Sequence, residues 1–161
     1  MALREDLTAG LERLSNTVKF SVPALDASGR ARLEIPIPAG LAILRDGRLT
    51  IDIRIASGGE SFTLSTAVAT TLGVVRAPFL DALLRRQQHG DSSAGLSYAL
   101  EAANQYDALL AVYHWIIPSI TPEQFNALYQ RFLMAALRVI ADIDGMIDKT
   151  PNVERVHPKR K

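Results

Sequence analysis

Apolar residues at Leu3, Leu7, Leu11, Leu14 and Val18 recur at intervals of four, four, three and four, the spacing of one helix face. They predict a helix over Ala2 to Asn16, with Arg4, Glu5, Asp6, Glu12 and Arg13 on its solvated side. A second stretch of the same kind runs from Phe125 through Leu128, Phe132, Ala135 and Val139 to Ile143. Its opening is strongly marked. Thr121 suits the N-cap, Pro122 the first helical position, where a missing N–H costs nothing, and Gln124 the reciprocal capping-box position. That helix is expected to reach Ile147. A shorter one is expected from Ala77-Pro78, with Phe79, Leu80, Leu83 and Leu84 as its apolar face and Arg85-Arg86-Gln87-Gln88 before a stop at His89-Gly90.

Between the helices the period changes from helical to two, the period of a strand with one buried face. Arg32 to Ile37 alternates polar and apolar, and Pro36 within it points to an edge strand or a strand end. Asp46-Gly47 reads as the turn of a hairpin between Leu41–Leu44 and Leu49–Ile55. Gly58-Gly59 then turns the chain into Ser61–Ala69. Asp26-Ala27-Ser28-Gly29 is a further turn, and Phe20-Ser21-Val22 a short extended piece. Leu96 to Ala102 and Ala108 to Ile117 complete the strands, turning at Asn104-Gln105. The second of these, apolar throughout, is expected in the interior of the sheet.

The order is therefore α-β-β-β-α-β-β-α. Strand and helix do not alternate regularly, which excludes a doubly wound parallel sheet. The expected fold class is α+β, a mostly antiparallel five-stranded sheet with three helices packed on it. At 161 residues one domain is expected over residues 1–149, burying roughly 70% of its extended-chain surface, followed by a basic, disordered tail at 150–161. The chain has no cysteine, so disulfides, thiolate metal ligands and thiol nucleophiles are excluded. No export signal or membrane span is expected from its first residues or its apolar windows, and the expected location is the cytoplasm. Net charge is +1, but residues 1–149 hold 14 basic against 16 acidic residues, and the excess lies in the tail. A slightly acidic body is a poor platform for nucleic-acid phosphates.

Element order over residues 1–148, together with Phe79-Leu80-Asp81-Ala82-Leu83-Leu84-Arg85-Arg86, the Gly95 to Leu100 strand and Ile120-Thr121-Pro122-Glu123-Gln124-Phe125, resembles the YbjN-like proteins and the structurally related Tir chaperone (CesT) class of type III secretion chaperones. The resemblance implies a non-enzymatic homodimer whose surfaces bind other proteins, and in the YbjN branch a role in stress response or regulation. Secretion chaperones are usually strongly acidic, whereas this chain is near neutral. The YbjN-like branch is the nearer for that reason.

Motifs for chemistry are missing. His89, His114 and His157 have no second histidine at metal-ligand spacing. Asp142, Asp144, Gly145 and Asp148 lack the third early acid and the closing Glu of a calcium loop. The glycines form neither a dinucleotide fingerprint nor a phosphate loop, and there is no nucleophile elbow. No cofactor, metal site or catalytic residue is expected. The favoured reading is a dimeric protein-binding adaptor or chaperone, with Leu7, Leu11 and Phe20 near the client surface and Phe79, Leu83 and Leu84 near the dimer contact. The same six residues are spaced as core residues are. Two other readings stand beside it. One is nucleic-acid association, direct or through a DNA-binding client, using the basic tail and Tyr98, Tyr106, Tyr113 and Trp115. The other is a small-ligand sensor or enzyme with a pocket between sheet and last helix.

Overall fold

A computed structural model describes residues 2–36, 48–72, 85, 97–102, 106–117, 119–147 and 153–154. The first helix, α1, spans Ala2–Thr17 and buries Leu3, Leu7, Gly10, Leu11 and Leu14. The strands are β1 (Arg30–Pro36), β2 (Arg48–Ile55), β3 (Ser61–Leu72), β4 (Ser97–Ala102), β5 (Tyr106–Ile116) and the two-residue β6 (Val153–Glu154). The long helix α2 spans Pro122–Ile147. The sheet order is β1-β2-β3-β5-β4, with β6 beside β3, and every pair is antiparallel.

The fold is α+β, an antiparallel sheet carrying helices. Two details differ from the expectation, and others lie outside the described residues. Leu41–Leu44 and Asp46-Gly47, expected to form a hairpin with Leu49–Ile55, lie outside the described residues; β2 pairs with β1, from Arg30↔Arg54 to Pro36↔Arg48. The sheet holds a sixth strand, β6, inside the segment expected to be an irregular tail. Phe20 and Ser21 join no strand. The expected helix over Ala77–Gln88 and the Asn104-Gln105 turn lie outside the described residues, apart from Arg85, which is helical and exposed.

Each turn has a local cause. Asp26 accepts from the Ser28 N–H and hydroxyl and from the Arg30 N–H, at 2.8, 2.7 and 3.0 Å. These bonds, the Ser28 hydroxyl first, hold its carboxyl below the usual range. Gly29 then takes φ 77°, and Gly59 takes φ 72° in the turn before β3, conformations open mainly to glycine.

Alternation splits the sheet into two faces. Inward, Ala31, Ile53, Leu64 and Tyr113 form one cross-strand row, flanked by Leu33 and Ile51. All are buried with the leucines of α1 and with Phe125, Tyr129, Phe132, Ala136 and Val139 of α2. Tyr113 meets Phe132 edge to face, with centroids 5.3 Å apart. Thr66 is buried among these apolar groups, and its hydroxyl donates to the Thr50 carbonyl at 2.7 Å. The pairs between β2 and β3 run from Ile55↔Phe62 to Asp52↔Ser65, so this hydroxyl bond ties the two strands together just past them. Outward lie Arg30, Arg32 and Glu34 of β1, Arg48, Thr50, Asp52 and Arg54 of β2, Thr63 and Ser65 of β3, and Val112 and His114 of β5, half-buried or exposed.

The two helices are pinned together at the start of α2. The cap forms as the sequence predicts: Thr121 Oγ1 accepts from the Gln124 N–H at 3.2 Å, and Gln124 Oε1 accepts from the Thr121 N–H at 2.9 Å. Asp6 of α1 accepts from the Ile120 N–H at 2.9 Å, and Arg13 pairs with Glu123. Glu123 is held below the usual carboxylate range, first by its own backbone N–H and further by Arg13. Gly10 faces the Phe125 ring so closely that a Cβ there would stand 2.8 Å from it.

Candidate protein-binding surface

Among the concave surfaces formed by the described residues, two have apolar walls beside the core. The larger runs along the margin of β1. Its walls are Phe20, Ser21 and Pro23 on one side and Arg32, Glu34 and Pro36 of β1 with Arg48 of β2 on the other, enclosing about 380 Å³. Alternation puts the β1 and β2 side chains there, since every second residue must leave the core. Val18, Phe20, Val22 and Leu25 pack partly against the core, which holds the segment after α1 alongside the sheet. Arg48 bridges to Glu34 at 3.3 Å, so the polar wall carries paired charges.

Among the described residues β1 has a strand neighbour on one side only. An edge strand presents a row of backbone donors and acceptors that another extended chain can match. Pro36 removes one donor at its end, which limits the reach of such pairing. Edge and groove are adjacent: the strand supplies backbone groups, and Phe20 and Pro23 supply apolar surface.

The smaller surface is a notch of about 220 Å³ at the start of α2, lined by Ile117, Ile120, Gln124, Ala127, Leu128 and Arg131. Nearby in sequence, Ile116 is 82% exposed at the end of β5, and Met134, more than three turns into α2, is 61% exposed. These are the exposed large apolar side chains among the described residues.

The site residues expected from sequence fare unequally. Phe20 is half-buried and lines the β1 groove. Leu7 and Leu11 are buried in the core, at 0% and 2% exposure. They offer a client nothing in this arrangement, because α1 turns its whole apolar stripe onto the sheet and α2. Phe79, Leu83 and Leu84 lie outside the described residues. His114 stands on the outward face opposite Thr63, while His89 and His157 lie outside the described residues. Asp142, Asp144 and Gly145 are helical within α2, not a calcium-type loop. Among the described residues no three His, Asp or Glu side chains cluster as a metal site, and no helix is long and apolar enough to cross a membrane.

Sequence reading missed Ser21, Pro23, Glu34 and Arg48 at the groove. For Glu34 and Arg48 the signal is the polar half of the alternation in Arg32–Ile37 and Arg48–Ile55, but only the β1–β2 register brings those two together.

No family model and no curated protein matches the chain. Solved structures do share its fold. A chain of the ExsC–ExsE complex is 15% identical, with 84% of this chain and 92% of that one covered at a TM-score of 0.56. A chain of the HopA1–SchA chaperone–effector complex is 10% identical, with 88% and 95% covered at 0.57. YbjN of E. coli is 13% identical, with 91% and 93% covered at 0.57. The coverage extends over nearly the whole of each chain, so the likeness is to the complete fold and not to one motif. At these identities it is a likeness of architecture.

Proposed function

We propose that this chain is a non-enzymatic, chaperone-like adaptor that holds an extended segment of a client protein against the outer edge of β1 and in the adjoining groove at Phe20. The observation that carries the reading is the pairing of an edge strand with a groove that is apolar on one wall. Backbone groups give affinity without sequence, and the side-chain pocket selects. Two of the structures that share the fold are complexes with a second protein, one of them a chaperone with its effector. That supports a protein partner in preference to a small substrate. The protein acts as a homodimer in the cytoplasm, on a client in a stress-response or regulatory pathway.

The test is a photo-crosslinking amino acid at Phe20, used in the cells that make the protein, with nuclease treatment before capture. A protein crosslinked there but not at exposed Glu12 on α1, and lost when Pro replaces Glu34 in β1, is the expected result. A crosslink that disappears with nuclease would replace this reading with nucleic-acid association. Sedimentation of the purified chain tests the dimer.

A further inference from the structure

The outward face of the sheet carries charge in an arrangement that stability does not favour. Arg30 and Arg54 are direct cross-strand neighbours. The same row continues to Thr63 and then to His114. Like charges directly opposite one another destabilise an antiparallel pair. The adjacent row shows the ordinary solution, Arg32 opposite Asp52 with a 2.7 Å ion pair. Arg54 makes no ion pair or side-chain hydrogen bond among the described residues. The Asp26 carboxylate feels the Arg30 charge, but its hydrogen bonds go to the turn, from the Ser28 N–H and hydroxyl and from the Arg30 backbone N–H.

These groups are not scattered on a flat surface. Arg30, Arg32, Arg54, Thr63 and Ser65 line a trough of about 360 Å³, with Asp52, Ile53 and Val112 completing it. The trough crosses β1, β2 and β3 and reaches β5, so at about 4.8 Å per strand its cationic and hydroxyl donors are spread over roughly 10–15 Å. The backbone N–H groups lie in the plane of the sheet and do not converge on the trough: those of β2 and β3 face neighbouring strands, and that of Arg30 donates to Asp26. A single phosphate, which is best held by converging backbone N–H groups, would find only separated side chains. An extended peptide places alternate side chains about 6.5–7 Å apart. Carboxylates at that spacing can meet one guanidinium fork and then the next, in bidentate fashion.

We propose that this trough binds an acidic segment of the client, with Arg30 and Arg54 as the principal contacts and Thr63 and Ser65 as hydroxyl donors. This rests on the client-binding reading above and adds a second, charge-selective contact on the sheet face beside the β1 groove. The unfavourable Arg30–Arg54 juxtaposition is then relieved by the ligand, as at other sites where stability is given up for binding.

The probe is a fluorescein-labelled octaglutamate peptide, followed by anisotropy in low salt and in 150 mM salt. Wild-type protein is expected to bind it, more weakly as salt rises, and to ignore a labelled Gly/Ser peptide of the same length. The double substitution Arg30→Gln with Arg54→Gln is expected to weaken binding at least about tenfold, as for the loss of charge-assisted hydrogen bonds. Folding is checked separately: Arg54→Gln alone is expected to raise Tm by about 1–3 °C, because it removes a like-charge pair. Equal affinity of the wild type and the folded double variant would overturn the proposal. So would displacement of the peptide by sub-millimolar inorganic phosphate at constant ionic strength, which would make this a phosphate site. Phe20→Asp leaves the trough intact, so peptide binding should survive it. The crosslink at position 20 tests the client reading independently, and the two can fail separately.

Discussion

The two faces of the sheet come from the same strands, residue by residue in alternation, yet they answer to different physics. On the inward face every described side chain of β1 and β2 from Ala31 to Ile53 is buried under α1 and α2, and the one polar member, Thr66 of β3, has its hydrogen bond. On the outward face Arg30 stands opposite Arg54, and the ion pairs present, Arg32–Asp52 and Arg48–Glu34, are exposed. Burial demands satisfaction and close packing, while exposure tolerates imperfect partners. Residues available for recognition are therefore found where stability is nearly indifferent to them.

That contrast is tested most severely at Phe125, which is wholly buried and presses on Gly10. Phe125→Ala is expected to cost about 3–5 kcal/mol, from lost transfer energy and the cavity left between the helices. Denaturant unfolding measures it, and a loss below about 1 kcal/mol would mean that the α1–α2 contact is not the core described. From the other side of that contact, Gly10→Val is expected to cost about 1–3 kcal/mol through overpacking.

Buried Tyr129 adds a pH-dependent test. Burial pushes its hydroxyl up to about 12 from a usual 10.0. The unfolded chain therefore ionises this group first: its share of stability is intact below pH 10 and drains away as the pH rises through about 12. By linkage the loss is about 2–3 kcal/mol. In Tyr129→Phe this share of the alkaline loss should vanish. An unfolding curve whose fall between pH 10 and 12 is the same in the variant would put Tyr129 outside the core.

The inward face was largely legible in the sequence and the outward face was not, for a physical reason. Burial imposes a period, so Leu3 to Leu14, Leu49 to Ile53 and Phe125 to Val139 announce their elements, and Thr121 and Gln124 announce the start of α2. Capping chemistry is local, within four residues, and needs no tertiary knowledge. The pairing of Arg30 with Arg54 depends on a register 24 residues apart in sequence, where nothing in either strand's own pattern specifies the other. The Asp46-Gly47 turn signal lies outside the described residues, while the pairing of β2 with β1 again rests on a register that neither strand's own pattern specifies. Leu7 and Leu11, expected near a client, are buried, because the helical stripe that makes them noticeable is the signature of a core.

A smaller effect lies at the junction of the two helices. Thr121→Ala removes the acceptor for the Gln124 N–H and is expected to cost about 1 kcal/mol, with Thr121→Ser restoring most of it. Full recovery by Ser and none by Val would assign the effect to the hydroxyl and not to packing.

The least effect is expected on the outward face, and its smallness sharpens the comparison. Arg32 and Asp52 are joined at 2.7 Å, but their side chains are 68% and 44% exposed. Water and salt screen such a pair, and fixing two mobile side chains costs entropy, so a double-mutant cycle with Arg32→Gln and Asp52→Asn should give a coupling of about 0.2–1 kcal/mol, falling in 0.5 M salt. The bond's short length is not evidence against this, since solvent offers both partners comparable bonds when it breaks. A coupling above about 2 kcal/mol, insensitive to salt, would mean that this face is held in place much as the core is. The trough would then be part of the stability of the sheet, and its arginines could no longer be read as donors left over for a ligand.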